Sequence, residues 1–303
     1  MSKKIAFIGL GHMGGPMAAN LVKAGYQVSG FDLSAQALEE ARALGVAVSE
    51  SARGAAVNAD VVITMLPAGR HVISAYQGED GLLAAARPGT LFLECSTIAV
   101  EDAQSAHNLA AAAGHRNMDA PVSGGVGGAT NGTLTFMVGG NTEDFADAEP
   151  ILQAMGQRVV LCGGSGAGQA AKICNNMILG VSMIAVSEAF VLGEKLGLSH
   201  EALFDVASNA SGQCWALTTN CPVPGPVPAS PANRDYRPGF AGALMAKDLG
   251  LAVQALQSTG VQARLGSLAE EIYRDFAAGE GAGRDFSGII NQIRSTSKTK
   301  ETV

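Results

Sequence analysis

The sequence predicts an α/β fold with two domains: an N-terminal doubly wound, mostly parallel sheet, and an all-α C-terminal domain joined to it by a long helix. Short apolar runs alternate with helical segments through the first half of the 303-residue chain, a pattern that favours a parallel sheet with helices on both faces. After Gly163–Gly166 every segment has helical or loop character. The predicted domains are therefore 1–164 and 165–303.

The first apolar run ends in a glycine-rich turn in which Gly9, Gly11 and Gly14 are spaced G-x-G-x-x-G. This spacing is typical of a Rossmann dinucleotide site, because the glycines permit a tight turn, close approach of a pyrophosphate and close packing of the next helix. The motif alone is weak evidence, and the helix expected over 16–24, capped by Gly25, strengthens it. The predicted cofactor loop comprises Gly9, Leu10, Gly11, His12, Met13 and Gly14.

The second predicted strand, 28–32, ends on Asp32. A carboxylate about 20 residues beyond the glycines can accept hydrogen bonds from the adenosine ribose hydroxyls. It would repel a 2′-phosphate, and neighbouring Leu33 and Ser34 carry no guanidinium to neutralise one. The sequence therefore predicts NAD as the cofactor, the alternative being an aspartate that only caps a turn.

The remaining strands are expected at 61–66, 90–94, 117–120, 133–138 and 158–162. Ligands of a doubly wound sheet bind where the carboxyl ends of its strands meet. We therefore expect the segment 95–97, of which Thr97 is the candidate, and the residues Met65, Leu66 and Pro67 beside the cofactor.

Composition excludes several classes of partner. A net charge of -7 argues against nucleic-acid and anionic-membrane surfaces. Five scattered cysteines and five scattered histidines form no C-x-x-C or H-x-x-x-H pair, which predicts reduced thiols, a cytoplasmic location and no metal site. Hydrophobic residues make up 47% of the chain and charged residues 16%, so we expect a homo-oligomer, a dimer or tetramer, that buries the excess.

The long helix, expected from about 168 to 196 and buried on most faces, carries a polar stripe of Gln169, Lys172, Asn175 and Asn176. An apolar setting lowers the pKa of an ammonium, so Lys172 could exchange a proton with a substrate hydroxyl. The alternative is a lysine that extends to water beside two structural asparagines.

Two further groups of residues are candidates. In the segment 119–125, Ser123, Gly124 and Gly125 could form a concave anion site for a carboxylate, the alternative being an ordinary glycine loop. Lys247 and Asp248 are charged residues in an apolar helical pattern, or simply a solvated face. Since adjacent helical residues point in different directions, we expect these two to serve different neighbours rather than to pair.

Together these motifs closely resemble the 3-hydroxyisobutyrate dehydrogenase family of β-hydroxyacid dehydrogenases over nearly the whole chain. The resemblance implies that Lys172 is the catalytic acid/base and that Ser123, Gly124 and Gly125 hold a substrate carboxylate. It also implies that Asn176 orients the substrate and that Lys247 contacts the cofactor, and we count Asp248 with the substrate-binding residues.

The stretches 133–140 and 215–240 are similar to the 3-hydroxyisobutyrate branch of this family, in which Trp215 and Phe240 would wall the pocket. One departure is Cys221, where the pattern has asparagine, while Asn220 stands one place earlier. The contacts at this edge of the pocket stay open at the level of sequence.

The resemblance implies NAD-dependent oxidation of 3-hydroxyisobutyrate to methylmalonate semialdehyde, a step of valine catabolism, within a closed cleft. Lys172 would take the hydroxyl proton and the cofactor the hydride. Alternatives with the same chemistry are a tartronate-semialdehyde reductase and an L-serine dehydrogenase. A different class, a non-catalytic NAD-binding sensor, requires no acid/base site, so the presence of Lys172, Ser123 and Asn176 counts against it.

Overall fold

The computed structural model describes residues 2–297, and the chain divides into two compact units. The first unit runs through Lys172 and the second begins at Ile173. The division lies eight residues beyond the predicted boundary, inside a long helix whose first residue is Ala167.

The first unit is built on one sheet of nine strands, which are β1 Lys4–Ile8, β2 Gln27–Phe31, β3 Ala47–Val48, β4 Val61–Thr64, β5 Leu91–Glu94, β6 Arg116–Asp119, β7 Val122–Ser123, β8 Leu134–Gly139 and β9 Gly156–Gly163. The first six are parallel in the order β3-β2-β1-β4-β5-β6. Strand β8 runs antiparallel to β6 and β7 and parallel to β9. This is the doubly wound order, so the predicted fold class is confirmed.

Eight helices of the first unit connect the strands: α1 Gly14–Lys23, α2 Ala35–Ala43, α3 Ala52–Ala56, α4 Gly69–Tyr76, α5 Leu82–Ala85, α6 Val100–Ala112, α7 Gly125–Asn131 and α8 Thr142–Gln153. Alternate strand residues enter two separate cores: Phe7 and Ile63 lie in one, and Ala6 and Val62 lie in the other. Both faces of the sheet are therefore covered, which explains why these strands are continuous apolar runs.

The predicted strands match the observed ones to within a few residues. The two that the prediction did not isolate, β3 and β7, have two residues each. Strand β7 is separated from β6 by Ala120 and Pro121, and Pro121 has no N–H to continue the ladder. Helix α1 ends as expected, with Gly25 at a φ of +90°.

The second unit is helical, with α9 Ala167–Lys195 leading into it, followed by α10 His200–Ser208, α11 Trp215–Thr218, α12 Gly242–Thr259, α13 Arg264–Ala277 and α14 Ile289–Thr296. Its core includes Met183, Leu249 and Tyr273, each fully buried. Within the described part of this unit, pairing of β type is limited to a bridge between Ala241 and Asp285.

Helix α9 is as long as predicted, but the expectation that it is buried on most faces is wrong for this chain. Its outer face includes Ile178, which is 66% exposed, and Leu192, which is 59% exposed. Among the described residues it is the one helix long and apolar enough to cross a membrane by length and composition, and 44% of its apolar window is buried.

Candidate active site

The glycine-rich turn has two glycines that the fold itself requires. Gly9 has a φ of +97°, and a Cβ there would overlap the carbonyl oxygen of Met65. A Cβ on Gly14 would overlap the carbonyl oxygen of Gly9. Gly11, by contrast, has no atom within 4 Å of the position of a Cβ and is exposed. The free space beside Gly11 is therefore available to a ligand, as the motif predicts.

The register of the sheet places the other predicted cofactor residues along the same edge as the glycine-rich turn. Ile8 pairs with Phe31 and Thr64, and Thr64 pairs with Glu94. Because these parallel strands end in register, the segments that follow them emerge along one edge of the sheet, on either side of β1.

Asp32 is fixed against the glycine-rich turn. The Leu10 N–H donates to its Oδ2 at 2.7 Å, and the Ser34 N–H donates to its Oδ1 at 2.8 Å. The second contact caps a turn, so Asp32 does have the turn-capping role that was the alternative to cofactor binding. Each carboxylate oxygen keeps a lone pair for a further donor, such as a ribose hydroxyl.

The loop after β4 is held by the loop after β5. The Leu66 N–H donates to the Ser96 hydroxyl at 2.7 Å. Met65 and Leu66 are half-buried and Pro67 is exposed, while Thr97, half-buried, follows Ser96 directly. Ser96 is thus a positioning residue that the sequence analysis did not single out.

The predicted carboxylate site follows β7. Ser123 is half-buried, and Gly124 and Gly125 have φ values of +132° and +60°. Only glycine adopts such a pair of conformations at low cost. Glycine is therefore required at both positions of this turn, which leads directly into α7, and the carboxylate site stays a prediction.

Lys172 is buried at 6% exposure in the second turn of α9. A buried ammonium group in an apolar helix is unusual, because burial disfavours charge. The alternative in which this lysine extends to water is therefore wrong for the structure of this chain.

In the second unit, Asp248 joins two of the predicted residues. Its Oδ2 accepts a hydrogen bond from the Asn176 amide at 2.6 Å, and its Oδ1 lies 3.4 Å from the Lys247 ammonium. The expectation that Lys247 and Asp248 do not pair is wrong, since a long lysine side chain can bend back to its neighbour. Asn176 also accepts from Asn175 at 3.0 Å, so its amide is oriented from both ends.

The structure defines the hydrogen bonds made around Cys221. Buried Asn220 donates to Asp285 Oδ1 at 3.2 Å, and Asp285 Oδ2 accepts from the Gly239 and Phe240 amides at 2.9 and 3.1 Å. Cys221 is buried, which raises the pKa of its thiol. The displaced asparagine therefore braces the Phe240 loop through Asp285.

The two aromatic candidates differ in environment. Phe240 is half-buried and packs edge to face on Phe286, with ring centres 5.7 Å apart. Trp215, at the start of α11, is 52% exposed. Among the described residues no group of three metal-ligating side chains occurs.

Comparison with known proteins gives the family. Residues 4–164 match the NAD binding domain of 6-phosphogluconate dehydrogenase, and residues 166–293 match the NAD-binding domain of NADP-dependent 3-hydroxyisobutyrate dehydrogenase. A solved structure of a Mycobacterium tuberculosis 3-hydroxyisobutyrate dehydrogenase with L-serine is 57% identical, with a TM-score of 0.92, covering 97% of this chain and 100% of that one. The chain belongs to the 3-hydroxyisobutyrate dehydrogenase family.

Two relatives from Pseudomonas aeruginosa have different names. A 3-hydroxyisobutyrate dehydrogenase is 49% identical, covering 96% of this chain and 98% of its own length. An NAD-dependent L-serine dehydrogenase is 50% identical, covering 95% of this chain and 96% of its own. Overall identity therefore does not choose between the two substrates.

This member of the 3-hydroxyisobutyrate dehydrogenase family is an NAD-dependent oxidoreductase. The description of the second match mentions NADP, but that match covers 166–293 and so excludes the position that distinguishes the cofactors, Asp32. The residues present fit NAD: a carboxylate follows β2, and the next side chain, Leu33, is 95% exposed and uncharged.

Proposed function

We propose that this protein oxidises 3-hydroxyisobutyrate to methylmalonate semialdehyde, a step of valine catabolism. The observation that carries the chemistry is Lys172, an amine buried at 6% exposure in a helix that begins at the edge of the nucleotide-binding sheet. A buried amine that is neutral can accept the hydroxyl proton during oxidation. Bound NAD supplies the hydride acceptor.

The other residues have assigned roles in this proposal. The amides of the Ser123–Gly125 turn hold the substrate carboxylate. Asn176, oriented by Asp248 at 2.6 Å, donates to or accepts from the substrate, and Lys247 contacts the cofactor. These interactions orient the substrate so that its hydroxyl reaches the lysine, which is how a positioned base accelerates the step.

The apolar character of Phe240, predicted to wall the pocket, supports 3-hydroxyisobutyrate as the substrate. Phe240 offers an apolar ring, and the buried polar groups that brace it, Asn220 and Asp285, are already bonded to each other. An amino group in place of the substrate methyl would need its own buried partner. The Phe240 loop therefore favours the methyl-bearing acid.

L-serine is the second candidate. The Mycobacterium tuberculosis relative was solved with L-serine, and a relative at 50% identity is named for that substrate. The test is a side-by-side measurement of kcat/KM for 3-hydroxyisobutyrate, L-serine and glycerate by NADH absorbance.

We expect 3-hydroxyisobutyrate to be preferred by roughly 10- to 200-fold, the range for one methyl-sized group in an apolar pocket. Phosphorylated analogues should fail, because none of the residues assigned to the substrate is an arginine. A higher kcat/KM for L-serine would replace the substrate assignment while leaving the dehydrogenase chemistry in place.

We also propose that the protein acts in the cytoplasm as a homo-oligomer without nucleic-acid or membrane partners. The net charge of -7 supports the last point, and the exposed apolar face of α9 supports the oligomer.

A further inference from the structure

A buried polar network lies where α9 begins, in the first unit. We propose that Gln169 and Glu94, together with Asp119, are positioning residues that fix Lys172 and the loop after β4 at the same time. The part of this inference that concerns Lys172 rests on the proposed function. The part that concerns the loop does not.

Gln169 is completely buried, and its side chain makes three hydrogen bonds. Its Nε2 donates to the Ser96 carbonyl at 2.7 Å and to Glu94 Oε2 at 3.3 Å, and its Oε1 accepts from the Ile98 N–H at 3.1 Å. A glutamine used in this way is not a substrate contact. It ties the first turn of α9 to the loop after β5.

Asp119, the last residue of β6, holds the same helix end. Its Oδ1 accepts from the Gly166 amide at 2.7 Å and its Oδ2 from the Gln169 amide at 2.9 Å. Burial raises the pKa of Asp119, and these amide donors oppose that shift. Two otherwise unpaired N-terminal amides of α9 are thereby satisfied.

The network extends to the predicted cofactor loop. Glu94, 1% exposed at the end of β5, accepts from the Ser96 amide at 2.8 Å through Oε1. Ser96 in turn accepts from the Leu66 amide at 2.7 Å. A continuous chain of bonds therefore runs from Gln169 to the loop that contains Leu66.

Lys172 follows Gln169 by three residues on the same helix, so the two side chains are neighbours on its surface. Any shift of the first turn moves the lysine with it. A misplacement of about 1 Å can cost roughly a hundredfold in rate. The network therefore fixes the positions of both the proposed base and the cofactor loop, although it need not touch the substrate or the cofactor.

The test is Gln169→Glu, which keeps the shape of the side chain but replaces its two donor hydrogens with a carboxylate facing Glu94. The matched control is Gln153→Glu on α8. It makes the same change at an exposed position, where Gln153 Nε2 donates to Glu149 Oε1 at 3.2 Å. Ile151→Val, a mild core variant 1% exposed on α8, controls for loss of stability alone.

For Gln169→Glu we expect kcat to fall about tenfold to a hundredfold with KM for the hydroxy acid within about threefold, since the Ser123–Gly125 turn lies outside this network. We also expect NAD, titrated by protein fluorescence, to bind more weakly than it does to either control. The exchange variant Glu94→Gln/Gln169→Glu, which restores a carboxylate–amide pair, should recover part of both losses.

Gln169→Met, a neutral change of similar size, replaces Gln169→Glu if the latter does not fold. Unchanged kcat and NAD affinity in the folded variant would overturn the proposal, as would equal losses in Ile151→Val. If the parent protein oxidises none of the hydroxy acids, the proposed function fails, and the NAD titration still decides whether the network positions the cofactor loop.

Discussion

Asp32 shows at the scale of one residue how a structural role and a predicted binding role can fall on one side chain. Its carboxylate caps a turn through Ser34 and holds the glycine-rich loop through Leu10. These bonds fix the direction of the side chain, so the carboxylate is preorganised for the hydrogen bonds to the ribose that we predict.

The first prediction concerns cofactor choice. Replacing Asp32 with serine and Leu33 with arginine should reverse the preference from NAD toward NADP, because a guanidinium can pair with a 2′-phosphate that a carboxylate repels. The measurement is the ratio of kcat/KM for the two cofactors. Leu44→Arg, which adds the same charge at another exposed leucine, should leave the ratio unchanged.

The second prediction concerns Lys172. We expect Lys172→Ala to lower kcat by about 10² to 10⁴, the usual contribution of a positioned acid/base, while NAD affinity stays nearly the same. Lys195→Ala, at the exposed end of the same helix, is the control. A folded Lys172→Ala protein with kcat within about threefold of the parent would make this lysine structural.

At the scale of elements, the glycines of the glycine-rich turn meet two different requirements: close packing within the fold and space for the predicted cofactor. Gly14 lies where α1 crosses the end of β1, and its contact with the Gly9 carbonyl leaves no room for a methyl group. Gly11 faces open space. The fold therefore requires Gly14 but not Gly11, and Gly11 is the glycine that the predicted cofactor would require.

The third prediction follows from that difference. Gly14→Ala should destabilise the protein by about 1–3 kcal/mol through overpacking, seen as a lower Tm. Gly11→Ala should leave Tm nearly unchanged but weaken NAD binding by roughly tenfold to a hundredfold, equivalent to about 1.5–3 kcal/mol for a lost bond to a charged group. Loss of stability without loss of NAD affinity in Gly11→Ala would contradict this.

At the scale of the whole molecule, most of the exposed large apolar side chains among the described residues lie on the second unit. Exposed apolar residues include Ile178 and Leu192 on α9 and Leu265 and Leu268 on α13. Scattered exposed leucines are ordinary, but several along neighbouring helices of one unit are typical of an interface.

The fourth prediction is that the protein is a dimer or tetramer at micromolar concentration by light scattering. Ile178→Glu combined with Leu192→Glu should shift it toward monomer, because the two carboxylates would be buried unpaired at the interface. Leu44→Glu, at an exposed leucine of the first unit, should not. A monomeric parent protein would disprove the expectation.

Much of this protein was determined by local sequence. Strand and helix positions follow from apolar periodicity, and the glycine-rich turn, the Gly25 cap and the position of Asp32 follow from backbone conformations that only certain residues adopt at low cost. Such signals act over a few residues, so one sequence is enough to predict them.

The partners of the buried polar groups were decided only by tertiary structure. Gln169 and Asn176 belong to one polar stripe in the sequence, yet Gln169 bonds Glu94, 75 residues away, and Asn176 bonds Asp248, 72 residues away. Asp285, which braces Phe240 and Asn220, had no local signal at all. A buried polar group must find a partner wherever packing supplies one, and that choice depends on which strand ends and helices meet in the folded chain rather than on neighbouring residues.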